Sequence, residues 1–157
     1  MSSKIGIASD HAGKELKQFV FDLVRLTDNE IIDYGVASDS DKSVDYPDYA
    51  RILAEGVSSG NLDLGIAICG TGIGMSIAAN KYPRVRAAVV WDEFSTRMAR
   101  AHNNANILCL GARTLNHHRA ADLVKIWLDT RFEGGRHQMR LDKIREIEKS
   151  SGRNAAH

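Results

Sequence analysis

Apolar positions along the chain alternate between short continuous runs and helical spacing. Ile5, Ile7 and Ala8 fall in a run from 5 to 9 that reads as a strand, and residues 10–13 form its exit loop. Leu16, Phe19, Val20, Leu23 and Val24 then recur at helical intervals, which predicts an amphipathic helix over 13–26. Residues 31–34 predict a second strand, stopped at Gly35, and the Ser- and Asp-rich stretch 37–43 predicts a loop. Pro47 suits the start of a helix striped by Ala50, Leu53, Ala54 and Val57 and ended at Gly60 and Asn61. The run 64–68 has the unbroken apolar character of a buried parallel strand. Cys69 ends it, Gly70 to Gly74 make a glycine-rich turn, and 75–81 reads as a helix.

A fourth strand is predicted over 86–91, followed by a helix capped by Asp92 that runs to about Ala101 with Phe94, Met98 and Ala101 on one face. Residues 107–110 predict a fifth strand ended by Gly111. Asn116 caps a helix carrying Ala120, Leu123, Val124, Trp127 and Leu128. Residues 130–137, with Gly134 and Gly135, predict a loop, 139–149 a last helix, and 150–157 a frayed tail. Five strand–helix alternations imply one α/β domain over 1–157. Its expected architecture is a doubly wound, five-stranded parallel sheet with helices on both faces, a Rossmann-like sandwich with right-handed crossovers. Ligands of such sheets bind beyond the carboxyl ends of the strands, where strand order reverses. The loops at Asp10 and His11, at Cys69 to Gly74, at Asp92 and at Arg113 all belong to that edge.

Length and charge narrow the class. At 157 residues the chain is long enough for one self-sufficient core. A net charge of +1 speaks against a general nucleic-acid footprint. No apolar run approaches the ~20 residues of a membrane span, and no signal segment precedes the first strand, so the expected compartment is the cytoplasm. Two cysteines, each at or inside an apolar run, suit reduced thiols and not a disulfide framework.

The strand, glycine turn and helix around Cys69 form a cradle in which successive backbone N–H groups can meet an anion. The rival readings are a dinucleotide turn and a merely structural one. The first is weakened because Met75 stands where the third glycine belongs and because the loop follows the third strand. A field that holds an anion also favours a thiolate over a thiol. Cys69 is therefore the candidate reactive cysteine, with an inert buried thiol as its alternative, and Cys109 reads as a small hydrophobe. His11 follows a strand beside Asp10. His102 and Asn103 lie in a helix-stop sequence. Arg136 and Arg140, four apart, make either a two-armed anion clamp or a solvated basic face. His117, His118, His137 and His157 lack metal-ligand spacing, so no metal site is expected.

Several of these stretches together resemble the type B ribose-5-phosphate isomerases, grouped with the galactose-6-phosphate and allose-6-phosphate isomerases. They are SDHAG at 9–13, VDYPDYA at 44–50, ICGTGIGMSIAANK at 68–81, HNNAN at 102–106, GAR at 111–113 and FEGGRHQMR at 132–140. The resemblance spans nearly the whole chain and implies cofactor- and metal-independent interconversion of ribose 5-phosphate and ribulose 5-phosphate, a pentose phosphate pathway step. It implies Cys69 as the base, assisted by Thr71, and the backbone of Gly70, Thr71, Gly72, Ile73 and Gly74 as the hole for a cis-enediolate. His102 is implied as the ring-opening residue, with Asp10, His11, Tyr46, Asn103, Arg113, Arg136 and Arg140 as contacts to sugar and phosphate. Family members without the cysteine use a carboxylate in the helix after the cradle, where this chain has Met75 and Ser76. HNNAN also departs from the commoner HNDAN or HNDTN. The rivals are the same chemistry on a six-carbon sugar phosphate and a non-catalytic nucleotide- or ligand-binding module. The expected partner is a second copy of the chain, in a dimer or a tetramer with active sites shared across the interface. That sharing reconciles topology with the role the resemblance implies: His102 ends a helix that runs away from the cradle, so its own Cys69 should lie at the opposite edge, yet the implied role needs a His102 beside the sugar that Cys69 attacks.

Overall fold

The computed structural model describes residues 2–152. Five strands lie parallel in the order β2-β1-β3-β5-β4. They are β1 (Lys4–Ser9), β2 (Glu30–Asp33), β3 (Leu64–Cys69), β4 (Ala87–Val89) and β5 (Ile107–Gly111). The helices are α1 (Lys14–Val24), α2 (Tyr46–Ser59), α3 (Ile73–Ala79), α4 (Glu93–Ala101), α5 (His117–Asp129) and α6 (Arg136–Ser150). This is the doubly wound α/β sandwich that the alternation of patterns predicts. From β1 the chain steps outward to β2 and returns on the other side to β3, so the loops after β1 and β3 open side by side.

The sheet is covered on both faces, and successive residues of each strand serve opposite cores. On β3, Ile66 and Ile68 pack with Leu16 and Val20 of α1 and Leu123 and Trp127 of α5. Ala67 and Cys69 face the other way, among Leu53 and Ala54 of α2 and Met75 of α3. Each large apolar side chain buried in this way contributes roughly 1.5–3 kcal/mol. The second face is built from small residues, which brings α2 close. A Cβ at Gly6 would come within 2.6 Å of Leu62 and 2.8 Å of Leu53.

Caps follow the sequence signals. Asp92 Oδ1 accepts the Ser95 N–H at 2.8 Å, and this bond holds the Asp92 carboxyl below its usual range. Asn116 Oδ1 accepts from Arg119 N at 2.8 Å, and Gly60 closes α2 with φ of 82°. The boundaries depart from expectation where the backbone turns sharply. Residues His11–Gly13 form a 3₁₀ turn before α1, because Asp10 Oδ1 accepts from Ala12 N at 3.0 Å and Gly13 N at 3.2 Å. Gly72, at φ 79°, lets α3 begin at Ile73 instead of 75. Gly134 and Gly135, at φ 66° and 53°, let α6 begin at Arg136, three residues before the expected start. The predicted inward Phe94 is 74% exposed. Ala101 is buried as expected, but the buried line of α4 reaches it through Thr96 and Ala99, and the Thr96 hydroxyl is satisfied within the helix by donating to Asp92 O at 2.6 Å.

Ser150 belongs to α6, and residues 153–157 of the expected tail lie outside the described residues. Among the described residues no helix is long and apolar enough to cross a membrane. The last helix lies across the amino edge of the sheet. Glu133 N, just before it, donates to Ala101 O at 3.0 Å, and Glu148 near its end accepts from Arg84 N at 3.0 Å.

Candidate active site

The carboxyl edge of the sheet gathers most of the candidates. Cys69 is the last residue of β3, opposite Gly111 of β5, and its side chain is buried. The chain then folds back so that Gly72 N–H donates to Cys69 Sγ at 3.2 Å. Ile73 N–H donates to Thr71 Oγ1 at 3.3 Å. Two N–H groups of the cradle are thus used within the loop itself, one of them on the sulfur. Those of Gly74 and Met75 lie in the first turn of α3 and have no carbonyl one turn back within the helix. The cradle that the glycines predict is present, with its open donors shifted toward the helix start.

Two side chains wall this loop. A Cβ at Gly70 would lie 3.0 Å from a guanidinium nitrogen of Arg113, and one at Gly74 would lie 2.6 Å from the Tyr46 ring. Backbone bonds hold Arg113 there: its N–H donates to Gly70 O at 2.9 Å, and Ala112 N–H donates to Cys69 O at 2.8 Å. Asp10 is buried beside the cradle, its N–H on Ile68 O at 3.2 Å. His11 Nδ1 lies 3.0 Å from Val44 O and 3.2 Å from Val44 N, bonding one or the other according to tautomer. That contact ties the loop after β1 to the segment that leads into Tyr46. Asp10, His11, Tyr46, Cys69 to Gly74 and Arg113 therefore lie together along the carboxyl edge of the sheet.

The other candidates lie at the opposite edge. His102 caps the carboxyl end of α4, with its N–H on Met98 O at 2.9 Å. Four residues later Asn106 O accepts from Gly65 N at 2.8 Å, at the amino end of β3. The strand from Gly65 to Cys69 covers about 13 Å at about 3.3 Å per residue. The His102 ring stacks on His137, with centroids 4.0 Å apart and planes 10° from parallel. Asn103 follows, its carbonyl accepting from Arg86 Nε at 3.1 Å. Arg136 and Arg140 are exposed in the first turns of α6, at a spacing that puts them on one side of the helix. The structure thus splits the candidate residues into two groups at opposite edges of the sheet. One holds the thiol and the cradle; the other holds His102, Asn103 and the arginine pair.

Two residues near the second group escape a reading by sequence spacing. Glu133 Oε2 lies 3.7 Å from His102 Nε2 and 3.5 Å from His137 Nε2. Burial is the largest influence on the His137 imidazole, followed by His102 and Arg136. Together they hold it below its usual range, against the opposing pull of Glu133. Cys109 is fully buried in β5, and burial pushes its thiol up, as a small hydrophobe's would be.

The chemistry this edge supports is proton transfer at a carbon acid beside a thiol, with backbone donors for the resulting oxyanion. Comparison with known proteins places the chain among sugar-phosphate isomerases. The Ribose/Galactose Isomerase family matches residues 5–144. The ribose-5-phosphate isomerase B of Escherichia coli is 41% identical over 145 residues, covering 92% of this chain and 96% of its own. The structure of the Clostridium thermocellum ribose-5-phosphate isomerase B superposes with a TM-score of 0.90 at 51% identity, covering 94% of this chain and 99% of the other. The Mycoplasma genitalium ribose-5-phosphate isomerase B, crystallised with bound ribulose-5-phosphate, gives a TM-score of 0.88 at 43% identity, covering 95% and 98% of the two chains.

Proposed function

Because the chain belongs to the ribose/galactose isomerase family, we propose that it interconverts ribose 5-phosphate and ribulose 5-phosphate, with Cys69 as the base. The observation that carries this reading is Cys69 Sγ seated under the Gly72 N–H, at the lip of the α3 start. In the forward direction the Cys69 thiolate takes the proton from C2 of the open-chain aldose. The electron pair moves through the C1–C2 bond onto the carbonyl oxygen and leaves a cis-enediolate. Backbone donors of the cradle, among them the Gly74 and Met75 N–H groups, meet the developing charge. The C2 hydroxyl proton passes to the O1 oxyanion, the same thiol returns its proton to C1, and C2 becomes the new carbonyl while O1 ends as a hydroxyl. Thr71 assists at the sulfur, and Asp10 and Tyr46 hold the sugar hydroxyls and the pocket wall. His11 and Arg113 contribute substrate contacts from this same half-site.

Ring opening and phosphate binding need the second half-site. His102 donates a proton to the ring oxygen, Asn103 contacts the sugar, and Arg136 and Arg140 clamp the phosphate. A second copy of the chain, related by a two-fold axis, can bring its His102, Asn103 and arginines to this chain's Cys69. Exposed large apolar side chains support such a partner. Ile73 and Ile77 of α3, with Trp91 and Phe94 at the junction of β4 and α4, stand open beside the β4 edge.

The test is a turnover assay that compares ribose 5-phosphate, allose 6-phosphate and galactose 6-phosphate under one set of conditions. Ribose 5-phosphate should give the highest kcat/KM. A six-carbon sugar phosphate ahead of it would move the assignment to that substrate while leaving the chemistry intact. Turnover of none of the three would overturn it.

A further inference from the structure

We propose that His102, Glu133 and His137 form a binding site for a divalent transition-metal ion of the zinc type, and that a bound ion takes His102 out of the reaction. The inhibitory half rests on the role proposed for His102; the binding half stands without it. Two imidazoles and a carboxylate are the donor set that zinc, cobalt and nickel accept. The three ligand atoms lie within 4.8 Å of one another. Their contacts are poor as hydrogen bonds: 3.7 Å from His102 Nε2 to Glu133 Oε2 and 3.5 Å from His137 Nε2 to the same oxygen. They suit coordination better. Donors at about 2.1 Å from a tetrahedral ion are separated by about 3.4 Å. Two edges of such a tetrahedron are therefore almost in place, and binding requires the stacked rings to rotate so that both nitrogens face the ion.

The frame around the cluster is firm. His102 caps α4, the Glu133 N–H is fixed on Ala101 O, and the His137 N–H donates to Gly134 O at 3.0 Å. In the single chain the entrance is open, because the Glu133 side chain is 58% exposed and that of His102 35%. Three protein ligands leave at least one position for water or a substrate oxygen. The bound ion would occupy the imidazole nitrogen that ring opening requires.

Cobalt(II) is the probe, since its visible absorption reports coordination independently of turnover. Metal-free protein titrated with Co²⁺ should develop a visible band saturating at one ion per chain, displaced by Zn²⁺ and not by Mg²⁺. Glu133→Gln should weaken this binding by about tenfold or more, on the scale of losses at metal sites. Glu133 is exposed, so this variant keeps the test clear of the packing changes that His137→Gln would bring. No band at millimolar Co²⁺, or a band that Glu133→Gln leaves unchanged, overturns the site. In parallel, Zn²⁺ should inhibit turnover of ribose 5-phosphate, a chelator should restore it, and Glu133→Gln should resist. Binding that Glu133→Gln weakens but that leaves wild-type turnover untouched keeps the site and overturns the inhibition, and with it the role given to His102.

Discussion

Cys69 and Cys109 are both buried, on neighbouring strands and facing the same core, so burial cannot tell them apart. What distinguishes them is the neighbour of the sulfur. Cys109 sits among apolar side chains, whereas Cys69 receives the Gly72 N–H and adjoins the open donors of α3. Cys69→Ala should therefore cut turnover by roughly 10²–10⁴-fold, the scale of a lost general base, while far-ultraviolet circular dichroism stays that of the wild type. Near-normal turnover in that variant would remove Cys69 from the mechanism. The distinction between the two thiols was legible in the sequence because glycines and a helix start are local features. The His102–Glu133–His137 cluster was not. Its two histidines are separated by the whole of β5 and α5, and metal-ligand patterns in sequence are patterns of short spacing. Only the return of α6 to the end of α4 brings them together.

At the scale of elements, the strands and helices were legible because period and length agree with their burial; the ends were less so. Ends are set by single backbone conformations, and a glycine in sequence does not announce whether it will take positive φ. Gly72 and Gly60 illustrate the difference such positions make. Both lie in the left-handed region, at φ 79° and 82°. A Cβ at Gly60 meets nothing within 4 Å, while one at Gly72 lies 3.0 Å from the Leu110 carbonyl carbon and 3.0 Å from Val89 Cγ2. Gly60→Ala should cost about 1–2 kcal/mol, the price of a left-handed non-glycine residue, and leave kcat unchanged. Gly72→Ala should lower the urea midpoint further and reduce kcat as well, because the strain falls on the residue whose N–H reaches Cys69 Sγ. Equal effects of the two substitutions on midpoint and kcat would mean that the cradle tolerates displacement.

At the scale of the molecule, the doubly wound topology both creates the cradle and places His102 at the opposite edge of the same chain. Every helix that follows a strand returns to the amino edge, and α4 delivers His102 there, beside Arg136 and Arg140. The separation of His102 from Cys69 could be read in the sequence from element order; how two copies would meet could not, since it depends on surfaces such as the one around Ile77 and Phe94. If the half-sites combine across a two-fold axis, two crippled proteins should repair one another. In a mixture of Cys69→Ala and His102→Ala chains, dissociated and reassociated, random pairing makes about half of the dimers mixed. Each mixed dimer has one site that lacks both residues and one that has both. Half of the sites in half of the dimers are then intact, so activity on ring-closed ribose 5-phosphate should recover to about a quarter of wild type. Were both residues to act within one chain, every site in the mixture would lack one of them and nothing would return. Exchange of subunits can be verified by tagging one variant and recovering the other with it. Verified exchange without recovered turnover would count against the shared site.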